Sequence, residues 1–279
     1  MMAYKLKVEF TWGHQSRIIG LSKSNPSFYY PPPTTILGAL AEVLAKRYEL
    51  GEKPETSRKL IANLSKKLLA LGLRPLNTIP LKYMDLNRII AVKITRGIHY
   101  PSPKDLAGSF DAPARGKTIM SPLTEESPTI EILMVLRDDE FKFNGKKIVV
   151  DKEFLWDIHR LGSRESIVSV VDVDYSDKIE SLHGVVATRY SFPVMSGVSI
   201  EGEIKKRWIY EIYVNPFDLR EDQSILDYYL KGENTIAYKV PLMIVAREYP
   251  VIRVRVDKPM TAYKVFFKQI KTIIIGREG

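Results

Sequence analysis

At 279 residues, 45% of them hydrophobic and 27% charged, the chain is long enough to bury a core without covalent staples, as one large domain or two modest ones. The lack of any cysteine excludes disulfides, thiolate metal sites, iron–sulfur clusters and a cysteine nucleophile together. Lysine and arginine number 42 against 33 acidic residues, a formal charge of +9 that suits a polyanionic partner such as nucleic acid.

The first predicted element is a strand. Tyr4, Leu6, Val8, Phe10 and Trp12 fall on one side and Lys5, Lys7, Glu9 and Thr11 on the other, the period-two pattern of a half-buried strand. The opening MMAYKLKVEF therefore reads as structure and not as a signal peptide. A polar loop follows from Gly13 and ends in Phe28-Tyr29-Tyr30-Pro31-Pro32-Pro33, where each proline holds the approach extended. Thr34 or Thr35 then caps a helix with Ile36, Leu37, Leu40, Val43, Leu44 and Tyr48 along one stripe. Pro54 opens a second helix carrying Leu60, Ile61, Leu64, Leu68 and Leu71, with Gly72 as its stop.

Strands are expected at 81–84 and 89–95. From 96 to 128 the pattern dissolves into five prolines and three glycines, and a connection of that length is functional or disordered. The apolar run 129–136 reads as a buried strand, and Asn144-Gly145 as a type I′ hairpin between 141–143 and 148–150. Asp151 caps a short helix that ends near Gly162, and 167–173 is a further strand. Beyond Gly184 the chain is β-rich, with strands expected at 208–214, 242–246, 251–256 and 262–267 and a helix near 224–230. The sum is an α+β protein. Residues 1–180 fit a ferredoxin-like (RRM-like) domain with an insert at about 96–128, and 181–279 form a smaller β-rich domain.

Several chemistries are absent from the sequence. It has no glycine-rich nucleotide fingerprint, phosphate loop or His-Glu-x-x-His zinc motif, so no cofactor and no metal are expected. Asp172-Val173-Asp174-Tyr175-Ser176 starts like a calcium loop, but Asp177 stands where the turn glycine is required. His14, His99, His159 and His183 form no constellation with a carboxylate at helical spacing, and so no catalytic residue is assigned. No apolar run reaches membrane-spanning length, and a cytoplasmic protein without membrane partners is expected. Three glutamines, no cysteine and abundant charge lean towards a thermophile.

Two segments carry a more specific signal. In Pro31-Pro32-Pro33-Thr34-Thr35-Ile36-Leu37-Gly38, a stiff arm delivers the chain to a helix start whose free N–H groups and threonine hydroxyls suit a phosphate. The same residues would also serve an ordinary capped helix. In Arg160-Leu161-Gly162-Ser163-Arg164-Glu165-Ser166, two arginines and two serines flank one glycine before a strand, a donor set suited to sugar-phosphate contacts. A plain helix stop with solvated charges would look alike.

Together, Ser27-Phe28-Tyr29-Tyr30-Pro31-Pro32-Pro33-Thr34-Thr35-Ile36-Leu37-Gly38-Ala39-Leu40 and the loop 160–168 resemble the Cas-five family of CRISPR-associated RAMP proteins, in its archaeal type I-A form. The resemblance covers about the first 175 residues. It implies a RAMP domain inside the surveillance complex Cascade, holding the 5′ handle of the crRNA and contacting the backbone subunit and other CRISPR-associated proteins in antiviral defence. By position it carries RNA contacts to Thr34 and Thr35 in the first motif, and to Arg160, Ser163 and Arg164 in the second. Many RAMP proteins have several glycines in that loop, whereas Gly162 stands alone here.

Arg96, Arg115 and Lys117 join the expected RNA-binding set from a different reasoning. They lie in the segment 96–121, which is locally positive and reads as a thumb-like excursion outside the core, gripping RNA or the adjacent subunit. The alternative to an RNA-binding subunit is a metal-independent endoribonuclease acting on CRISPR repeat RNA, with His14 or His99 near Tyr29, Tyr30 or Tyr100.

Overall fold

The computed structural model describes residues 1–279 except 17–24, 52, 87–88, 91, 107, 112–113, 203–206 and 269. The alternation at the start of the chain becomes the strand Met2–Phe10. It belongs to a four-stranded sheet in the order Val168–Ser176, Met2–Phe10, Thr129–Leu136, Leu68–Pro75, every neighbouring pair antiparallel. Register sets Tyr4 opposite Met134, Leu6 opposite Ile132 and Val8 opposite Ile130. Apolar side chains of both central strands therefore share one face, as the pleat requires.

That face packs with the helices Pro33–Arg47 and Pro54–Lys67, which contribute Ile36, Leu37, Leu40, Leu44, Leu60 and Leu64 to one core. The opposite face buries Ala3, Leu133 and Val135 against Tyr263, Val265 and Ile274, from the strands Met260–Phe267 and Ile270–Arg277. Cover on both sides explains why every residue of Thr129–Leu136 is buried and why the segment reads as a continuous apolar run. Fully burying each such large aliphatic side chain is worth about 1.5–3 kcal/mol.

The C-terminal half adds three-stranded antiparallel sheets. One joins Gly184–Thr188, Ile252–Val256 and Val198–Glu201; another joins Phe192–Val194, Thr235–Pro241 and Trp208–Val214. The helix Ile225–Lys231 starts in a capping box between Ser224 and Asp227 and ends at Gly232 in the left-handed region. Tyr213, Val214, Phe217, Tyr228 and Tyr238 from this half complete the core beneath the helices. The architecture is α+β, with mostly antiparallel sheets and few helices.

Local signals in the middle of the chain read correctly. Asn144 and Gly145 both have positive φ, 47° and 80°, in the turn between Glu140–Phe143 and Lys146–Val149. The Asp151 side chain accepts from the Glu153 N–H, although the short helix it caps, Lys152–Asp157, is of the 3-10 type.

Three expectations need correction. The second helix stops at Lys67, and Leu68–Pro75 is a strand, so Leu68 and Leu71 belong to the sheet. Gly72 is no helix stop: it lies mid-strand, where a Cβ would come within 2.2 Å of the Ser191 carbonyl. The expected strand at 242–246 is displaced to Thr235–Pro241, which reaches the core through Tyr238 and Val240, while Ile244 and Val245 are exposed.

The stretch 96–128 is also more ordered than its composition suggests. Ala114–Ser121 pairs along its whole length with Ile79–Leu86 and adds Gly13–His14 on its other side. A smaller hairpin, Lys93–Thr95 with Ile98–Tyr100, turns at Arg96 and Gly97. Thr118 and Met120 are buried at the base of this arm. The base therefore belongs to the body of the protein, contrary to the reading of 96–121 as wholly outside the core. Among the described residues no helix is long and apolar enough to cross a membrane.

Candidate nucleic-acid interface

The two motifs lie more than a hundred residues apart in sequence and line one cleft of about 1160 Å³. Thr34, Thr35 and Gly38 come from the first turns of the helix Pro33–Arg47. Arg160, Gly162, Ser163 and Arg164 come from the loop before the edge strand Val168–Ser176. The cleft wall is completed by Gln15 and Ser16, which follow the first strand, and by Glu42, Lys46 and Lys53.

The helix start is left open. Contrary to the expected threonine cap, Pro32 sits at the cap position with Thr34 and Thr35 inside the first turn; no side chain bonds that turn, and it holds no acidic residue. Its positive end is thus not neutralised locally. The carbonyl of Pro32 accepts from the Thr35 and Ile36 N–H groups, which leaves the threonine hydroxyls beside the opening.

The loop 160–167 is held rigidly against the segment after the first strand. Ser163 N–H donates to the Gln15 carbonyl at 3.1 Å, Gln15 N–H donates to Ser166 Oγ at 2.9 Å, and Trp12 Nε1 donates to the Glu165 carbonyl at 2.6 Å. Gly162 has φ +126°, and a Cβ there would meet the Gln15 carbonyl at 2.8 Å. A single glycine is enough because one left-handed position makes the turn.

The charges differ in their freedom. Arg160 donates to Glu42 at 2.7 Å, and Lys46 reaches the same carboxylate at 2.8 Å. Burial works to raise the Glu42 carboxyl, but those hydrogen bonds prevail and hold it below its ordinary value. Arg164 is exposed and has no carboxylate partner among the described residues. Gln15 Nε2 and Ser16 Oγ are buried polar atoms without a hydrogen-bond partner among the described residues. Sequence reasoning missed both; their one signal was their position directly after a strand end.

The remaining expected residues lie elsewhere. Arg96 is at the turn of the small hairpin on the arm, and Arg115 is exposed near the outer end of Ala114–Ser121, opposite Asp85. Lys117 is engaged by Asp85 at 2.8 Å and Glu165 at 3.2 Å, so it links the arm to the loop of the cleft. None of the three lines the cleft. His14 is fully buried, its Nε2 donating to the Tyr29 carbonyl at 3.3 Å. Burial, with Lys82 nearby, lowers its pKa to about 4. It is a neutral core residue rather than the exposed base that the nuclease alternative requires. His99 sits in the small hairpin, paired with Ile94.

An α+β protein with a basic cleft at a helix start is the class these features define. Comparison with known proteins gives the family. The model of the CRISPR-associated protein (Cas_Cas5) family matches residues 3–255, and the chain belongs to that family. It is 27% identical over 182 residues to "CRISPR-associated protein Cas5 2" of Saccharolobus solfataricus, a match spanning 65% of this chain and 64% of that relative. A crystal structure of a CRISPR protein from Archaeoglobus fulgidus superposes with a TM-score of 0.70 at 39% identity, covering 99% of this chain and all of the other.

Proposed function

We propose that the protein is a crRNA-binding subunit of a type I CRISPR surveillance complex, of the type I-A form of Cascade, acting in antiviral defence. The cleft holds the 5′ handle of the crRNA by its phosphates, with Thr34, Thr35, Ser163 and Arg164 as direct donors. Arg160 acts there through its shared carboxylate, Glu42. The observation that carries this reading is the convergence of two distant motifs on one cleft whose helix start has no acidic neighbour. Family membership supports the CRISPR role. The sheet order, with the first strand between the third and fourth of its unit, supports treating residues 1–180 as a ferredoxin-like RAMP domain and 181–279 as its β-rich partner.

The arm extends the same reading to a protein partner. Its outer part exposes Ile90, Val92, Ile94 and Leu106 beside Arg96, a surface suited to the adjacent backbone subunit as well as to RNA. His14 lies buried with its Nε2 on the Tyr29 carbonyl, so of the two histidines the nuclease alternative invokes, only His99, exposed on the small hairpin, is placed to act as a base. The test is binding of a repeat-derived single-stranded RNA by Arg164→Glu. Affinity should fall roughly tenfold and the salt dependence should lose about one unit of slope. Unchanged affinity and slope would remove the cleft from the RNA path.

A further inference from the structure

A second basic surface lies in the C-terminal half, outside the cleft. Ile252–Val256 is the central strand of its sheet, between Gly184–Thr188 and Val198–Glu201. Ile252, Val254 and Val256 point inwards and are buried with Val186 in one apolar cluster. The alternate set, Val251, Arg253 and Arg255, is exposed, as are Val185, Ala187 and Arg189 beside it. Register sets Arg253 opposite Ala187 and Arg255 opposite Val185, so both guanidinium groups rise beside small side chains.

The charge of this face is only partly neutralised. Glu201 stands opposite Arg253 in register and pairs with Arg255 at 2.9 Å. Arg189 and Arg253 have no carboxylate partner among the described residues, and the Arg189 guanidinium stands over the Tyr249 ring at 5.8 Å. Alternate residues of one strand lie about 6.7 Å apart and neighbouring strands about 4.8 Å. Guanidinium groups set out at that spacing on an open sheet suit a repeating anion better than one compact ligand, which would need a convergent pocket.

The kind of nucleic acid follows from what the face lacks. Its outward positions 185, 187, 199, 201, 251, 253 and 255 carry no aromatic ring, and Tyr249 at its margin is engaged by Arg74 as well as Arg189. Single strands are held by base stacking together with phosphate contacts. A duplex hides its bases and offers phosphates alone. We propose that the outward face of this sheet, through Arg189, Arg253 and Arg255, is a sequence-independent docking surface for the phosphate backbone of a nucleic-acid duplex.

The full-length protein tests this with a short mixed-sequence DNA duplex and, separately, a single-stranded RNA, each titrated across a salt series. The double variant Arg253→Ala/Arg255→Ala should bind the duplex at least about tenfold more weakly, with a salt slope reduced by about two units. Its binding of single-stranded RNA should not change. Glu201→Gln, which releases Arg255, should strengthen duplex binding by about twofold to fivefold. The proposal is overturned if the wild-type protein binds no duplex at any salt concentration of the series. It is equally overturned if the double variant keeps full duplex affinity, or loses RNA binding to the same extent. Because the RNA arm is read independently, failure here leaves the cleft reading standing.

Discussion

His14 is the most consequential single residue for stability as a function of pH. Its folded pKa of about 4 lies below the unperturbed value of about 6.5. Between those two values the unfolded chain binds a proton that the folded chain refuses, so stability falls as pH drops through that window. The loss is negligible above about pH 7 and reaches about 3 kcal/mol by pH 4. Equilibrium unfolding in urea at several pH values should show His14→Gln with a flatter profile between pH 6.5 and 4 than the wild type. Parallel profiles would mean that the ring titrates alike in the folded and unfolded chains. Few cues to this placement exist in the sequence: His14 follows a strand end, as a loop residue would, and only the pairing of Gly13–His14 with Ala114–Ser121 carries it inside.

Among the elements, the last strand and the second helix are joined by one side chain. Arg277 donates to the carbonyls of Leu68 at 2.8 Å, Phe217 at 2.9 Å, Ser65 at 3.0 Å and Lys66 at 2.7 Å. It thereby caps the negative end of the helix Pro54–Lys67. Arg277→Met leaves several of those carbonyls without a donor and should cost about 2–4 kcal/mol, measured by urea denaturation with an unchanged m-value. A loss below about 1 kcal/mol would show that water replaces the arginine freely. The arm makes the complementary case. Leu86 and Ala114 are cross-strand partners, so residues 87–113 can be replaced by an Asn-Gly turn that keeps the base. Thermal unfolding of that variant should shift by only a few degrees, while retention of crRNA in the assembled complex falls. A large thermal loss would place the outer arm in the core.

Those elements also show what could be read from sequence and what could not. Strands covered on one or both faces, Met2–Phe10 and Thr129–Leu136, declare themselves through their apolar pattern. The arm strand Ala114–Ser121 does not, because its buried positions include Gly116 and Thr118 while Ile119 faces solvent beside Arg115, which blurs the apolar alternation. Gly72 misled for a physical reason: a glycine needed for close backbone approach looks the same in sequence as a helix stop. At the cleft, the positions of Thr34, Thr35, Arg160, Ser163 and Arg164 were legible because the proline arm and the glycine turn are local signals, although neither threonine is the cap. Gln15, Ser16 and Glu42 were not, since their place at the cleft depends on the tertiary path of the chain.

At the scale of the whole molecule, the central sheet is buried on both faces, between the two helices on one side and the C-terminal strands on the other. One of its edges is also covered: Ser191 N–H donates to the Leu73 carbonyl, and Ser191 Oγ receives the Leu73 N–H. At the other edge strand, the loop 160–167 and the open helix start meet. The net charge of +9 then acts as a field that draws a polyanion towards the cleft, with the arm beside it and the arginine face elsewhere. The most direct measurement of this account is photo-crosslinking of a crRNA bearing a reactive nucleotide in its 5′ handle, followed by identification of the modified peptides. Crosslinks should concentrate on residues 28–38 and 160–166 and disappear in Arg164→Glu. Crosslinks confined to the C-terminal strands, with none at the cleft, would contradict it.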